Sequence, residues 1–281
     1  MLQNFVVKNF RCLGGLRLHL LARVNLIAGK NNTGKTALLE AIRLHCNPGN
    51  CQLPIDVNKE RGVEDPVGAQ ADVCGWLFFD KDPASAIELS SEDGRGDVHT
   101  LTVQLVDAVT SREAFPDVEE LLSHHFRDGA QASPRLILRY RGPRDETRTS
   151  VGFFTGSGFT FIGARIPWGV RTAFINSGTP GSSKDLEYFG ELEAAKRQGE
   201  VLPALQIIEP RLQRLTLVPF VGQTVIHGDV GLSRLIPVPF LGEGLKRLLS
   251  VVLAIANTRD GIVLIDEIEN GLHYSVLVQA W

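Results

Sequence analysis

The sequence has few cysteines, little net charge and no long hydrophobic run. Its four cysteines form no zinc-binding pattern, so reduced and packed thiols are expected at Cys12, Cys46, Cys51 and Cys74. No apolar run approaches the roughly 18 residues that a membrane span needs. The polar start does not resemble a signal peptide. These absences argue against membrane association and favour a cytoplasmic location.

The formal net charge of −3 gives no whole-chain argument for nucleic-acid binding. Arginines nevertheless cluster around one Pro/Gly turn, at Arg135, Arg139, Arg141, Arg144 and Arg148. The cluster is either a basic stripe or a charged hairpin edge, since acids at 145 and 146 lie among the arginines. The 281 residues, 43% of them hydrophobic, suffice for one large or two small domains with a core.

Residues 29–36 read Gly-Lys-Asn-Asn-Thr-Gly-Lys-Thr, the full Gly-x-x-x-x-Gly-Lys-Thr phosphate-binding motif. Its backbone N–H groups suit phosphate oxygens, Lys35 suits the β- and γ-phosphates, and the Thr36 hydroxyl suits Mg²⁺. The apolar run 24–28 predicts a buried strand before the loop, and 37–42 predicts a helix after it. ATP and Mg²⁺ are therefore predicted ligands. The predicted binding residues are Gly29, Lys30, Asn31, Asn32, Thr33, Gly34, Lys35, Thr36 and Ala37.

A second motif lies near the other end of the sequence. Residues 261–267 form an apolar run that ends in Asp266 and Glu267, which predicts a buried parallel strand. Ligands of α/β sheets bind at the carboxyl ends of such strands. Asp266 and Thr36 are the predicted metal ligands. Glu267 and Lys35 are the predicted catalytic residues, with Glu267 as the base.

Residues 240–247 form a third, weaker motif, with Gly242 and Gly244 at the start of a long helix. The two glycines allow close approach of a ligand or a chain, and the helix start offers N–H groups. On spacing alone, a glycine-rich helix entry with Glu243 as a first-turn charge is the simpler interpretation.

Periodicity and turn residues predict an α/β fold with a mixed or parallel core sheet and an antiparallel β-rich subdomain. Predicted strands are 5–10, 16–20, 24–28, 73–80, 98–106, 135–141, 151–154, 159–162, 216–220, 223–226, 234–238 and 261–267. Predicted helices are 35–46, 117–127, 183–197, 202–208 and 242–257, with a turn at Gly14–Gly15 and a long surface loop at 47–72.

The order of the motifs resembles that of ABC-class ATPase heads, including the SMC and RecF types. Residues 9–11, 24–36, 241–249 and 265–273 look like the corresponding blocks of the OLD-type (overcoming lysogenization defect) ATPases. The resemblance covers nearly the whole chain in order, but it is specific only at the two ends.

The resemblance implies a head-to-tail homodimer that encloses two ATP molecules. Gly242 and Gly244 would then form a signature motif against the ATP of the other copy, assisted by Lys246 or Arg247. Residues 269–273 would form a D-loop across the dimer interface. The role of Arg11 stays open between a nucleotide contact and the sheet edge, and no glutamine loop is identified.

The resemblance also implies a single head over 1–281, with a nucleotide-binding core at 1–46 and 211–281 and an insertion at 47–210. The switch histidine and the Toprim nuclease of OLD-type proteins find no counterpart, so the head is expected to be cut short after 281. The expected function is ATP hydrolysis coupled to DNA transactions or antiphage defence, with DNA and a nuclease as possible partners. The alternatives are a nucleotide-gated interaction module with little hydrolysis and a small-molecule kinase.

Overall fold

The computed structural model describes residues 2–63, 70–125, 133–155, 158–166, 168–176 and 183–271. The chain divides into two compact units, Met1–Val170 and Arg171–Trp281. Within the described ranges, no helix combines the length and the apolar character needed to cross a bilayer.

The first unit is built on a seven-stranded antiparallel sheet with the order β2-β1-β3-β4-β5-β6-β7. Its strands are β1 (Leu2–Phe10), β2 (Leu13–Leu18), β3 (Ile87–Asp93), β4 (Val98–Val106), β5 (Arg135–Arg141), β6 (Thr147–Thr155) and β7 (Gly158–Ile162). Val7 of β1 lies opposite Leu16 of β2 and Leu89 of β3. Val7 and Leu89 are fully buried, so the register places apolar side chains of neighbouring strands in one core.

Among the described residues of this unit, the helices are α1 (Lys35–Cys46), α2 (Leu53–Lys59), α3 (Gln70–Gly75), α4 (Ala108–Ala114) and α5 (Pro116–His125). The α1 helix packs against β1 and β3, and every residue from Ala37 to Cys46 is buried. Burial of that length fixes α1 firmly on the sheet. The Asp107 carboxylate caps α4 by accepting hydrogen bonds from the backbone N–H groups of Val109 and Thr110.

The second unit contains a parallel strand pair and a small antiparallel sheet. The pair joins β8 (Thr172–Ile175) to β12 (Ile262–Ile265), and the antiparallel sheet has the order β11-β10-β9. Its other elements are α6 (Ser183–Ala194), α7 (Leu202–Leu205), β9 (Arg214–Phe220), β10 (Gln223–Asp229), β11 (Ile236–Pro237) and α8 (Glu243–Asn257). The core joins α6 to α8 through residues such as Phe189, Leu192, Leu249 and Leu253.

The predicted α/β class is confirmed, as are most of the strongly patterned elements. The helices predicted at 35–46 and 242–257 correspond to α1 and α8, and the acidic strand corresponds to β12. Residues 126 and 127 of the helix predicted at 117–127 lie outside the described residues. The strand predicted at 234–238 is shorter, because a 3₁₀ turn at Val238–Phe240 follows β11 directly.

The strand predicted at 24–28 is wrong. No regular structure forms there, and Val24 and Leu26 are 66% and 70% exposed. An apolar run becomes a strand only when a neighbouring strand pairs with it, and the structure pairs none with this segment among the described residues.

Three further local predictions are wrong. Part of the loop predicted at 47–72 is α2, which starts with Pro54 in its first turn and buries Ile55 and Val57 completely. The strand predicted at 73–80 is instead α3 followed by a 3₁₀ turn. The β1–β2 turn lies at Arg11 and Cys12, and the glycines expected to form it are inside β2.

The arginine cluster is divided by ion pairs to α5. Arg135 is 1% exposed, and its Nη1 lies 2.6 Å from Oε1 of Glu119. Nη2 of Arg139 lies 2.7 Å from Oδ1 of Asp117. The Arg139 guanidinium also lies 4.7 Å from the centre of the Phe115 ring. These two arginines fasten α5 to β5, whereas the other three are exposed. The cluster is therefore not one continuous basic stripe.

Candidate nucleotide-binding site

The phosphate-binding motif leads directly into α1. Residues 29–33 are exposed, and α1 begins at Lys35. Gly34 precedes the helix with φ 92° and ψ 15°, in the left-handed region. A Cβ on Gly34 would lie 2.9 Å from Cys12 Sγ and 3.0 Å from Leu13 Cδ2. This position therefore requires glycine for its backbone conformation and for the space around it.

The side chains of the loop bond to its own carbonyl groups. Lys35 Nζ donates hydrogen bonds to the carbonyl oxygens of Gly29 and Lys30, at 2.8 and 2.9 Å. Thr33 Oγ1 donates to the same Lys30 oxygen at 2.8 Å. The loop is therefore folded around the lysine ammonium, while Asn31 and Asn32 remain exposed.

The loop and the helix start fit a polyphosphate. At Gly34 no side chain caps α1, and the first turn of α1 contains no acidic residue. The positive end of the helix dipole and the lysine charge therefore act at the same place. Thr36 is half-buried and Ala37 is 2% exposed, so the helix side of the motif is held by the core.

Arg11 lies in the turn between β1 and the edge strand β2, and its side chain forms an ion pair with α1. Its Nε lies 2.7 Å from Oε2 of Glu40, a residue of α1 that is 2% exposed. Arg61 Nε donates to Oε1 of the same carboxylate at 2.8 Å. Burial lowers the pKa of Arg11, and the Glu40 carboxylate opposes that shift.

The predicted acidic pair directly follows β12. Asp266 is 6% exposed, and its backbone N–H donates to the carbonyl oxygen of Ile175 at 2.9 Å. Glu267 is exposed and has φ 49°. Its carboxylate accepts a hydrogen bond from the side-chain amide of Asn270. The two acids thus differ, since one is anchored by the strands and the other reaches solvent.

The glycine-rich motif forms the start of α8. Gly242 precedes the helix with φ 109°, and nothing lies within 4 Å of where its Cβ would be. A Cβ on Gly244 would lie 2.8 Å from the carbonyl oxygen of Gly271. Glycine at 244 therefore lets α8 approach the chain that follows the acidic pair. Glu243 is exposed and lies 3.6 Å from Lys246.

Arg247 has a structural position that the sequence did not reveal. It is 1% exposed and donates to the carbonyl oxygens of Asn176 and Asp266, both at 2.6 Å. Burial lowers its pKa, and the charges of Asp266 and Glu267 oppose the shift. The expectation that Arg247 assists at the ATP of another copy is wrong, because its donors hold the ends of β8 and β12 to α8.

The structure unites part of the predicted site within each unit. The first unit brings together the loop residues from Gly29 to Ala37, and the second brings Gly244 and Arg247 to the acidic strand end. The joint action of Thr36 and Asp266 on one metal ion stays a prediction. In the described ranges, no group of three or more His, Cys, Asp or Glu side chains could hold a metal.

Glu40 lies outside the predicted set, and Arg247 has a role other than the predicted one. Glu40 and Arg247 are buried charged residues on helices whose buried side chains are mostly apolar. A buried charge on a core-facing helix position indicates a specific partner. The partner itself follows only from the tertiary fold.

The loop and the helix that it begins are typical of P-loop ATPases, and the chain has a mixed α/β structure. The chain belongs to the family described as "AAA domain, putative AbiEii toxin, Type IV TA system", whose model matches residues 24–279. The expected AAA-type ATPase class is thereby confirmed. The likeness to OLD-type ATPases stays a prediction.

One protein is similar to a short stretch of the chain, and one solved structure is similar to nearly all of it. An uncharacterized protein of Methanocaldococcus jannaschii, MJECL10, is 46% identical over 44 residues, which are 16% of this chain and 20% of that protein. The matched stretch thus spans about a fifth of that relative. A crystal structure of the SmcHead bound to the C-winged helix domain of ScpA matches 95% of this chain and 90% of its own. That match has 10% identity and a TM-score of 0.40.

Proposed function

We propose that the chain binds ATP with Mg²⁺ and hydrolyses it. The observation that carries this proposal is the Gly34–Lys35 junction. There a left-handed glycine, a helix start without a side-chain cap and a lysine ammonium occur together. Each feature favours negatively charged oxygens, and together they suit a nucleoside triphosphate rather than a single carboxylate.

Each predicted residue has one role in this proposal. Lys35 and the amides of the loop bind the β- and γ-phosphates, and Thr36 and Asp266 are the metal ligands. Mg²⁺ supplies neutralisation of phosphate charge when it is bound. Glu267 orients the attacking water and accepts its proton, which its exposed carboxylate suits.

The proposal includes a homodimer in which Gly242 and Gly244 of one copy contact the ATP bound by the other. The start of α8 supports this role, because Gly242 lacks a side-chain cap and has open space around it. Most of the catalysis would be positioning and charge stabilisation, so an isolated copy should be nearly inactive.

Binding and hydrolysis are tested separately. Fluorescent ATP should bind the wild-type chain in the presence of Mg²⁺, and Lys35→Ala should abolish that binding. Glu267→Gln should bind normally but lose single-turnover hydrolysis. Equal ATP affinity of the wild type and Lys35→Ala would refute the proposed nucleotide site.

The dimer is tested by concentration. The rate per copy should fall on dilution below the dissociation constant of the dimer, and a constant rate would refute the shared site. A bulky residue at Gly244 is a poor probe, because it would collide with Gly271 within the same copy. Glu243→Arg is a better one, because that side chain is exposed at the same helix start.

A nucleotide-gated module with little hydrolysis is the second candidate. This candidate is favoured by the hydrogen bond that the Asn270 side-chain amide donates to the Glu267 carboxylate, because the proposed base is then already engaged. Asn270→Ala should then accelerate single-turnover hydrolysis above the wild type, with Glu267→Gln as the inactive reference. If the wild type and Glu267→Gln hydrolyse ATP equally slowly, the module is the correct function.

We propose a cellular role in DNA transactions or antiphage defence, with a nuclease as a further partner. The OLD-type resemblance and the toxin–antitoxin description of the family support this role. Fluorescence anisotropy of labelled DNA, with ATP and the Glu267→Gln variant, tests it. ATP-dependent binding would support a DNA partner, and no binding in either state would count against it.

A further inference from the structure

We infer that Arg11 is a positioning residue for the phosphate-binding loop, an inference that rests on the proposed nucleotide-binding function. Arg11 lies in the two-residue turn between β1 and β2. It acts in two ways: its side chain holds Glu40 of α1, and the residues that follow it pack against Gly34.

The backbone of this turn is closely defined. Arg11 has φ 51°, and its N–H donates to the carbonyl oxygen of Leu77 at 2.8 Å. Cys12 Sγ and Leu13 Cδ2 then lie where a Cβ on Gly34 would be. The turn therefore sets the space available to the last residue of the loop before α1 begins.

The ion pair fixes α1 relative to the same turn. Glu40 lies four residues after Thr36, about one helical turn. The Arg11 and Glu40 side chains are 11% and 3% exposed, so water screens their attraction weakly. The Arg11 guanidinium also donates to the carbonyl oxygen of Val57 at 3.2 Å. Rotation of α1 about its axis would break this pair, and the same rotation would displace Lys35 and Thr36.

Arg61 provides a matched control. It bonds to the same Glu40 carboxylate, at 2.8 and 3.1 Å, but it follows α2. Its bonds therefore link α1 to α2, whereas the ion pair of Arg11 with Glu40 links α1 to the turn beside Gly34. Loss of either arginine removes one positive charge beside the Glu40 carboxylate, but only the loss of Arg11 releases the loop.

The experiment compares Arg11→Ala with Arg61→Ala. The dissociation constants of Mg²⁺-ATP and ADP are measured by fluorescence at a temperature where urea unfolding shows both variants fully folded. Arg11→Ala should raise both constants about 10-fold through misplacement of the phosphate-binding groups. Arg61→Ala should change them less than about 2-fold, although it lowers the urea midpoint.

Arg11→Lys is the rescue variant, because it keeps a positive charge beside the Glu40 carboxylate. It should bind ATP within about 3-fold of the wild type. It also keeps the test decisive if Arg11→Ala does not fold. Equal weakening by Arg11→Ala and Arg61→Ala, or normal affinity of Arg11→Ala, would overturn the inference while the nucleotide site stands. Failure of the wild type to bind ATP would instead overturn the proposed function.

Discussion

Acid should destabilise the first unit through His45. This residue lies in α1 and is fully buried, with Nε2 2.7 Å from Ser91 Oγ. The rings of Phe5 and Trp168 lie 5.4 and 5.1 Å from its ring. Burial lowers the pKa of His45 from 6.5 to about 3, and the positive form of His99 adds to the shift.

The sign follows from the two states of the chain. Below pH 6.5 His45 is protonated in the unfolded state, whereas in the folded state it stays neutral down to about pH 3. Stability from this group is therefore complete above pH 6.5 and is lost as the pH falls through that window. At pH 5, the pH lies 6.5 − 5 = 1.5 units below the unfolded-state pKa of His45. At about 1.4 kcal/mol per unit, the loss is about 2 kcal/mol.

Urea unfolding of the wild type and His45→Gln, at pH 7 and pH 5, isolates this effect. Glutamine retains a hydrogen-bonding group for Ser91 but does not titrate. The wild type should lose about 2 kcal/mol more than the variant between the two pH values. Acids elsewhere, and His99, titrate in both proteins and cancel in the comparison. Equal losses in the two proteins would refute the assigned role of His45.

Three substitutions test close contacts. Arg247→Met should lower the free energy of unfolding by about 2–4 kcal/mol, because it leaves buried carbonyl groups at the ends of β8 and β12 unpaired; an unchanged urea midpoint would contradict this. Gly34→Ala should weaken Mg²⁺-ATP binding and cost about 1–2 kcal/mol for its left-handed backbone, and full ATP affinity would exclude the clash with Cys12. Gly244→Ala should cost about 1–3 kcal/mol through its collision with Gly271, and wild-type stability would show that α8 can shift freely.

The elements that sequence predicted well have strong local patterns. The α8 helix carries apolar residues at Leu245, Leu248, Leu249 and Leu253, and each of them is buried. The phosphate-binding motif is recognisable because its residues are eight consecutive positions. In both cases the information lies within one or two turns of chain, so no tertiary contact is needed to recognise it.

The missed elements depend on distant partners. No strand is predicted at 87–93, yet β3 forms there, and its Ser91 is 3% exposed. Its hydroxyl bonds to His45, which a local pattern does not reveal. The same limit applies to the site, because Arg11 and Glu40 are 29 positions apart in the sequence and meet only in the fold.

The segment at 24–28 gives the sharpest test of the difference between sequence and structure. Leu26 is 70% exposed, whereas Leu38, a short distance along the chain in α1, is 4% exposed. Leu26→Ala should therefore change the free energy of unfolding by less than about 0.5 kcal/mol. Leu38→Ala, with the same chemical change, should cost about 2–5 kcal/mol.

Urea unfolding of both variants decides where the segment lies in solution. A loss above about 2 kcal/mol for Leu26→Ala would show that the run is buried against another strand, as its composition predicts. A small loss for Leu26→Ala beside a large one for Leu38→Ala would leave 24–28 as an exposed lead into the loop. The loop then takes its position from α1 and from the β1–β2 turn, which makes the contacts of Arg11 and Gly34 the ones that set its shape.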